Sequence, residues 1–112
     1  HNLIVLGATD ADMLAAAIHI IRIGGGLCVW ADGEVLADLP LPIAGLLTDD
    51  PAPEVVRKLQ NVRRAAHSLG TGLACPFMTL AFMSLSVIGD LKLTDKGLVD
   101  VTANALVPLF AD

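Results

Sequence analysis

The chain has 112 residues, 54% of them hydrophobic, and a net charge of -5, a size suited to one domain of about 100–150 residues. The acidic balance argues against a nucleic-acid surface. No uncharged apolar run reaches the roughly 18–20 residues of a membrane span, and no basic-then-apolar leader pattern is visible.

The apolar content exceeds the usual ~45–50%, so part of it is expected to face another domain or subunit. Aromatic residues make up only 4%, and the core must therefore come from Leu, Val, Ile and Ala. Cys28 and Cys75 are too few and too far apart for a disulfide framework or a zinc site, and read as free thiols in a reducing cytoplasm. The sequence opens on His1 without an initiator Met and reads as a piece of something longer.

In chain order, Asn2 to Gly7 is a short apolar run ending in glycine, which predicts a buried strand. Thr9 is a good helix N-cap, with Asp12 three residues on as an acidic capping-box partner. Leu14, Ala17, Ile18 and Ile21 fall at helical spacing and predict a core-facing stripe, leaving Asp12, His19 and Arg22 on the opposite, solvated face. Gly24 to Gly26 stop this helix. They follow a helix and precede a strand, the wrong polarity for a phosphate cradle, whose glycines precede a helix N-terminus.

Two β-prone runs flank Asp32-Gly33 and predict a hairpin over the segment from Gly26 to Leu41. Leu39-Pro40-Leu41-Pro42 ends its second strand. Asp49-Asp50-Pro51 predicts a helix start with an acidic cap and proline at the first helical position. Val55, Leu59, Val62, Ala66 and Leu69 form its core stripe, Glu54 and Lys58 an i, i+4 pair, and Gly70 its end. Arg57, Lys58, Arg63 and Arg64 lack interleaved aromatics and read as a solvated face.

Pro76 to Ile88 suits either a strand, with Met78, Leu80 and Phe82 alternating, or a short helix, with Phe77, Leu80 and Met83 aligned. The strand, buried on both faces, is favoured. Leu91 to Val101 predicts a second hairpin turning at Asp95-Lys96-Gly97, and Ala103 to Asp112 a short docking segment. The sum is an α+β single domain, ordered β-α-β-β-α-β-β-β, with a mostly antiparallel β-sheet flanked by helices.

Chemistry-bearing patterns are sparse. His1, His19 and His67 form no metal-binding pair, and His19 and His67 read as solvent-exposed. No nucleophile elbow surrounds Ser68, Ser84 or Ser86. Cys28 in an apolar strand is expected to be inert through a raised pKa, whereas Cys75 before Pro76 is the more reactive thiol. Asp49 and Asp50 lack further ligands. On the residues alone, no catalytic residue and no metal ligand is expected.

Five ordered blocks carry a resemblance: "HNLIVLGATDADM" (His1 to Met13), "GGGLCVWADGEVLADLPLPIAGL" with "LPLPIAGLLTD" (Gly24 to Asp49), "PFMTLAFMSLSVI" (Pro76 to Ile88) and "LKLTDKGLVDV" (Leu91 to Val101). Together they resemble the C-terminal domain of adenine deaminase, in the amidohydrolase superfamily, over the whole chain. The resemblance implies a longer parent that hydrolyses adenine to hypoxanthine and ammonia in purine catabolism. It implies a divalent metal, Mn or Fe, activating water in an upstream (β/α)₈ barrel, whose ligands would precede His1.

By the same resemblance, residues 1–112 are a non-catalytic domain partnered by that barrel in a cytoplasmic homo-oligomer, with no nucleic acid or membrane partner. His1 and Asn2 are the substrate-binding candidates, because the family's chain enters this domain through a polar His-Asn segment near the barrel mouth. Leu39 to Ile43 is expected to be a rigid surface against the barrel or a neighbouring subunit. A proline expected near Ser86 or Gly89 and an acid expected near Cys75 are missing. The alternative reading is a freestanding α+β small-molecule-binding or oligomerisation domain.

Overall fold

The computed structural model describes residues 3–110. The chain divides into two compact units, one of them Leu3–Pro76 and the other from Phe77 onward.

In the first unit, helix α1 (Asp10–Arg22) is capped by Thr9, whose hydroxyl accepts from the Asp12 N–H at 3.2 Å. That hydroxyl donates to the Asp12 carboxylate at 2.9 Å, so the expected acidic cap forms. The helix ends in a Schellman arrangement: the Gly24 N–H reaches the Ile21 carbonyl at 3.2 Å and the Gly25 N–H the Ile20 carbonyl at 3.0 Å. A left-handed φ of 80° at Gly24 makes this possible without strain.

Strands β1 (Gly26–Ala31) and β2 (Glu34–Pro40) pair antiparallel around Asp32-Gly33, whose φ values of 54° and 84° give the primed turn that suits a two-residue hairpin. Val29 pairs with Ala37 but Trp30 with Val35, so Leu36 is an extra, bulged residue. Helix α2 (Ala52–Ser68) packs on both strands, and α1 packs on β1.

The two faces of the hairpin take different helices. Cys28, Trp30 and Asp38 share the face that meets His19 of α1. Leu27, Val29, Ala37 and Leu39 alternate onto the other face, toward α2. The core lies there: Val29 is 7% exposed, Leu39 3% and Val62 of α2 0%.

The second unit holds most of helix α3 (Pro76–Met83) and a three-stranded antiparallel sheet, β3 (Leu91–Thr94), β4 (Gly97–Asp100) and β5 (Ala105–Val107), in the order β3-β4-β5. The β3–β4 turn is tied by the Thr94 hydroxyl, which donates to the Gly97 carbonyl at 2.9 Å and accepts from the Lys96 N–H at 3.2 Å.

The α+β class and its antiparallel pairing stand, with the pairing divided between two small sheets. Several local expectations change. Leu3 to Gly7 forms no strand, for the run finds no ladder partner. Asn2 lies outside the described residues. Pro76 to Met83 is a helix and not a strand, since Pro76 fits a first helical turn and Met78, Leu80, Ala81 and Met83 are good helix formers. Helix α2 begins one residue later than expected, with Pro51 as its N-cap and no side-chain cap. Asp50 is engaged instead with Lys58 at 2.7 Å, and its N–H with the Thr48 hydroxyl at 3.2 Å. The C-terminal segment contains a strand, β5.

The largest change is in α1. Of its expected stripe, Leu14, Ile18 and Ile21 are exposed and only Ala17 is partly covered, as are Asp12, Met13, Ala15, Ala16, His19 and Ile20. The helix carries two apolar arcs about 160° apart. The alanine-rich one allows close approach to β1, and the bulkier one is left outside.

Candidate functional site

The only polar cluster bridging elements of the first unit, among the described residues, is built by α1 and the hairpin. The Nε2–H of His19 donates to Asp38 Oδ2 at 2.8 Å, and the two side chains are 16% and 33% exposed. The expectation of a solvated His19 is therefore overturned, because the helix turns this face onto β1. Trp30 lies beside it, with ring centroids 6.2 Å apart and planes tilted by 52°. The Trp30 Nε1–H is buried without an acceptor. Cys28, paired with Asp38 across the hairpin, has its thiol pushed up to about 11, first by burial and then by the Asp38 charge.

Position depends on the bulge. An unbroken two-residue hairpin about Asp32-Gly33 would set Ala37 opposite Cys28 and put Asp38 on the α2 face. The extra residue Leu36 shifts the pairing by one, delivering Asp38 to His19 and Leu39 to the core. Asp38 and Trp30 were not predicted as site residues, and the alternation of Cys28 with Trp30 was the only available signal.

Chemically, the histidine–carboxylate pair supplies two parts of a nucleophile-activating relay but no third. The neighbouring thiol is held protonated at neutral pH, as expected for Cys28, and among the described residues no hydroxyl hydrogen-bonds to His19. The pair acts as a tie between α1 and the hairpin.

The remaining candidates do not converge. His67 is exposed and its Nδ1 lies 2.9 Å from the Thr71 carbonyl. Cys75 is exposed, with the Arg63 guanidinium donating to its sulfur at 3.7 Å. Asp50 pairs with Lys58, and Asp49 is exposed. His1 and Asn2 lie outside the described residues. An open groove of about 630 Å³ between β2 and α2 is lined by Asp38, Arg57, Lys58, Asn61, Arg64 and Ser68. Its cations are already committed. Arg57 clasps Glu54, Lys58 holds Asp50, and Arg64 donates to Asn61. The Glu54 carboxyl is correspondingly lowered, chiefly by its bond to Arg57, and Lys58 is raised, chiefly by its bond to Asp50.

Among the described residues, no three His, Cys, Asp or Glu side chains group as metal ligands, so this donor set does not fit a metal centre. No helix among them is long and apolar enough to cross a membrane.

The sequence matches the family model for the adenine deaminase C-terminal domain over residues 1–105. It is 57% identical over 110 residues to an adenine deaminase of Oleidesulfovibrio alaskensis, a match covering 98% of this chain and 19% of that protein. Adenine deaminase 2 of Carboxydothermus hydrogenoformans is 54% identical over 110 residues, covering 97% of this chain and 19% of the relative. An adenine deaminase of Methanothrix thermoacetophila is 48% identical over 112 residues, covering 100% and 20%. The chain thus spans about a fifth of the length of the curated relatives it matches.

Proposed function

The chain belongs to the adenine deaminase C-terminal domain family, and from that membership we propose that residues 1–112 form the non-catalytic C-terminal domain of a longer adenine deaminase. The longer protein is a hydrolase that converts adenine and water to hypoxanthine and ammonia. Its chemistry resides upstream, in an amidohydrolase barrel that holds a divalent metal, Mn²⁺ or Fe²⁺. His1 and Asn2 are the candidates for contact with the substrate. The assembly is cytoplasmic and homo-oligomeric.

The observation that carries this reading is the family match across residues 1–105, joined by relatives near 50% identity over almost the whole chain. The site is consistent with it. In the groove Arg57 and Lys58 are paired with Glu54 and Asp50, and Arg64 donates to the neutral Asn61 amide. No reaction step is assigned to residues of this chain.

The test is made on the product of the whole gene that encodes this chain, purified with Mn²⁺ or Fe²⁺ supplied. Ammonia release and the absorbance change from adenine to hypoxanthine are followed together. Matched, metal-dependent production of both supports the proposal. A folded, metal-loaded protein that leaves adenine unchanged and deaminates another aminopurine would overturn the substrate, and a protein with no deaminase activity would overturn the reading altogether.

A further inference from the structure

We infer that the outward face of α1, formed by Leu14, Ile18 and Ile21, is the docking surface for the polypeptide that precedes this chain in a longer protein of its relatives' length. The inference rests on the proposed function above and deepens it by naming the contact.

Three aliphatic side chains on one helix arc stand 63%, 47% and 70% exposed. A helix at the surface of a self-contained domain turns such an arc inward and its charged residues outward. Here the bulky arc stands outward beside the exposed Asp10 and Arg22, and the orientation is fixed. The other arc is partly covered, and His19 on it is bound to Asp38 at 2.8 Å. Rolling the helix to bury Leu14, Ile18 and Ile21 would break that bond and expose the partly covered Ile20. The stripe is therefore held outward by the fold of its own unit.

The size of the stripe selects among occupants. Three side chains of this kind expose on the order of 300 Å², within the range of the largest apolar patch of an ordinary monomer, which is often functional. A stable association of separate molecules needs about 800 Å² per partner, more than this patch provides. A covalently tethered partner has no such requirement, since its effective concentration reaches the millimolar range. Relatives extend far beyond the matched segment, which is 19% of their length. Residues 1–9 separate the preceding polypeptide from α1, a reach of at most about 30 Å when extended. Asp10 and Arg22, both exposed, frame the stripe at its two ends. The complementary surface is thus an aliphatic hollow with a basic group near one end and an acidic group near the other.

The experiment uses the full-length gene product carrying Ile18→Cys, with Ile21→Cys as a second, independent variant. Ile21 is 70% exposed and Ile18 47%, so each substitution removes little covered surface. Alkylation by a soluble maleimide is followed at peptide level by mass spectrometry, which separates the new cysteine from Cys28 and Cys75. The reference is the same variant unfolded in urea. Docking predicts labelling at least roughly tenfold slower in the folded protein, at a rate independent of protein concentration. Labelling within about twofold of the unfolded rate would overturn the inference. Protection that grows with protein concentration would also overturn it, in favour of a second copy as the occupant. The readout does not pass through adenine turnover. Protection without deaminase activity sinks the proposed function and keeps the docking surface, whereas activity with rapid labelling does the reverse.

Discussion

His19 and Asp38 join two elements that are otherwise held by apolar contact, and their bond is largely shielded on the histidine side. Removing one partner leaves the other partly desolvated, and His19→Ala is expected to destabilise the first unit by about 1–2 kcal/mol. Asp38→Asn, which keeps an acceptor in place, is expected to cost less. Urea unfolding of the two variants checks the order. Equal losses would mean that shape and not the bond holds α1 on the hairpin.

Cys28 yields a pH prediction whose sign is fixed. Its thiol sits near 11 in the folded chain against an ordinary value of 9.0, raised by burial and by Asp38. Between those values the unfolded chain loses the proton first, so stability falls as pH rises from about 9 and levels off beyond about 11. Cys28→Ser is expected to flatten that part of the stability profile. At pH 8 the exposed Cys75 is expected to alkylate much faster than Cys28, read by peptide mass spectrometry.

At the scale of elements, stability concentrates in few places. Val62 is 0% exposed while Val56 on the same helix is 51% exposed. Val62→Ala is expected to cost about 2–3 kcal/mol and Val56→Ala under about 0.5, measured by chemical denaturation. Glycines divide in the same way. At Gly26 a Cβ would lie 2.1 Å from the Leu39 carbonyl, on a φ of 132°, whereas at Gly33 nothing lies within 4 Å. Gly26→Ala is expected to prevent normal hairpin pairing, and Gly33→Ala to cost about 1 kcal/mol for its left-handed turn. Similar melting temperatures for both variants would contradict this account of β1.

What the sequence made legible follows from how local each cause is. Thr9, the glycines after α1, Asp32-Gly33 and the stripe on α2 act within a few residues, and each stands where it was expected, with Leu69 alone of that stripe left exposed. The register of β2 was not legible, because one bulged residue, Leu36, decides which face receives Asp38. The orientation of α1 was not legible either. Bulk pointed to Leu14, Ile18 and Ile21, but the alanine arc fits closer to a sheet. The segment from Pro76 to Met83 was ambiguous between two periods, and helix propensity prevailed where no strand partner was available.

For the molecule as a whole, a small buried core and a broad apolar surface describe a domain adapted to company. Among the described residues only Val29, Leu39 and Val62 form the buried core, while Leu14, Ile21, Leu46, Leu47, Val87 and Phe110 are each more than 60% exposed. The relatives matched here are about five times longer than this segment. The candidate site ties α1 to the hairpin through His19 and Asp38.

The central claim is that this chain supports adenine deamination without carrying its chemistry. The most direct test is to supply the purified 112-residue chain with adenine and Mn²⁺ or Fe²⁺, and to follow hypoxanthine and ammonia alongside the full-length gene product. The account predicts turnover by the longer protein and none by the chain. Metal-dependent turnover by the chain alone, abolished by His19→Ala or Cys75→Ser, would contradict it and place a complete active site within these residues.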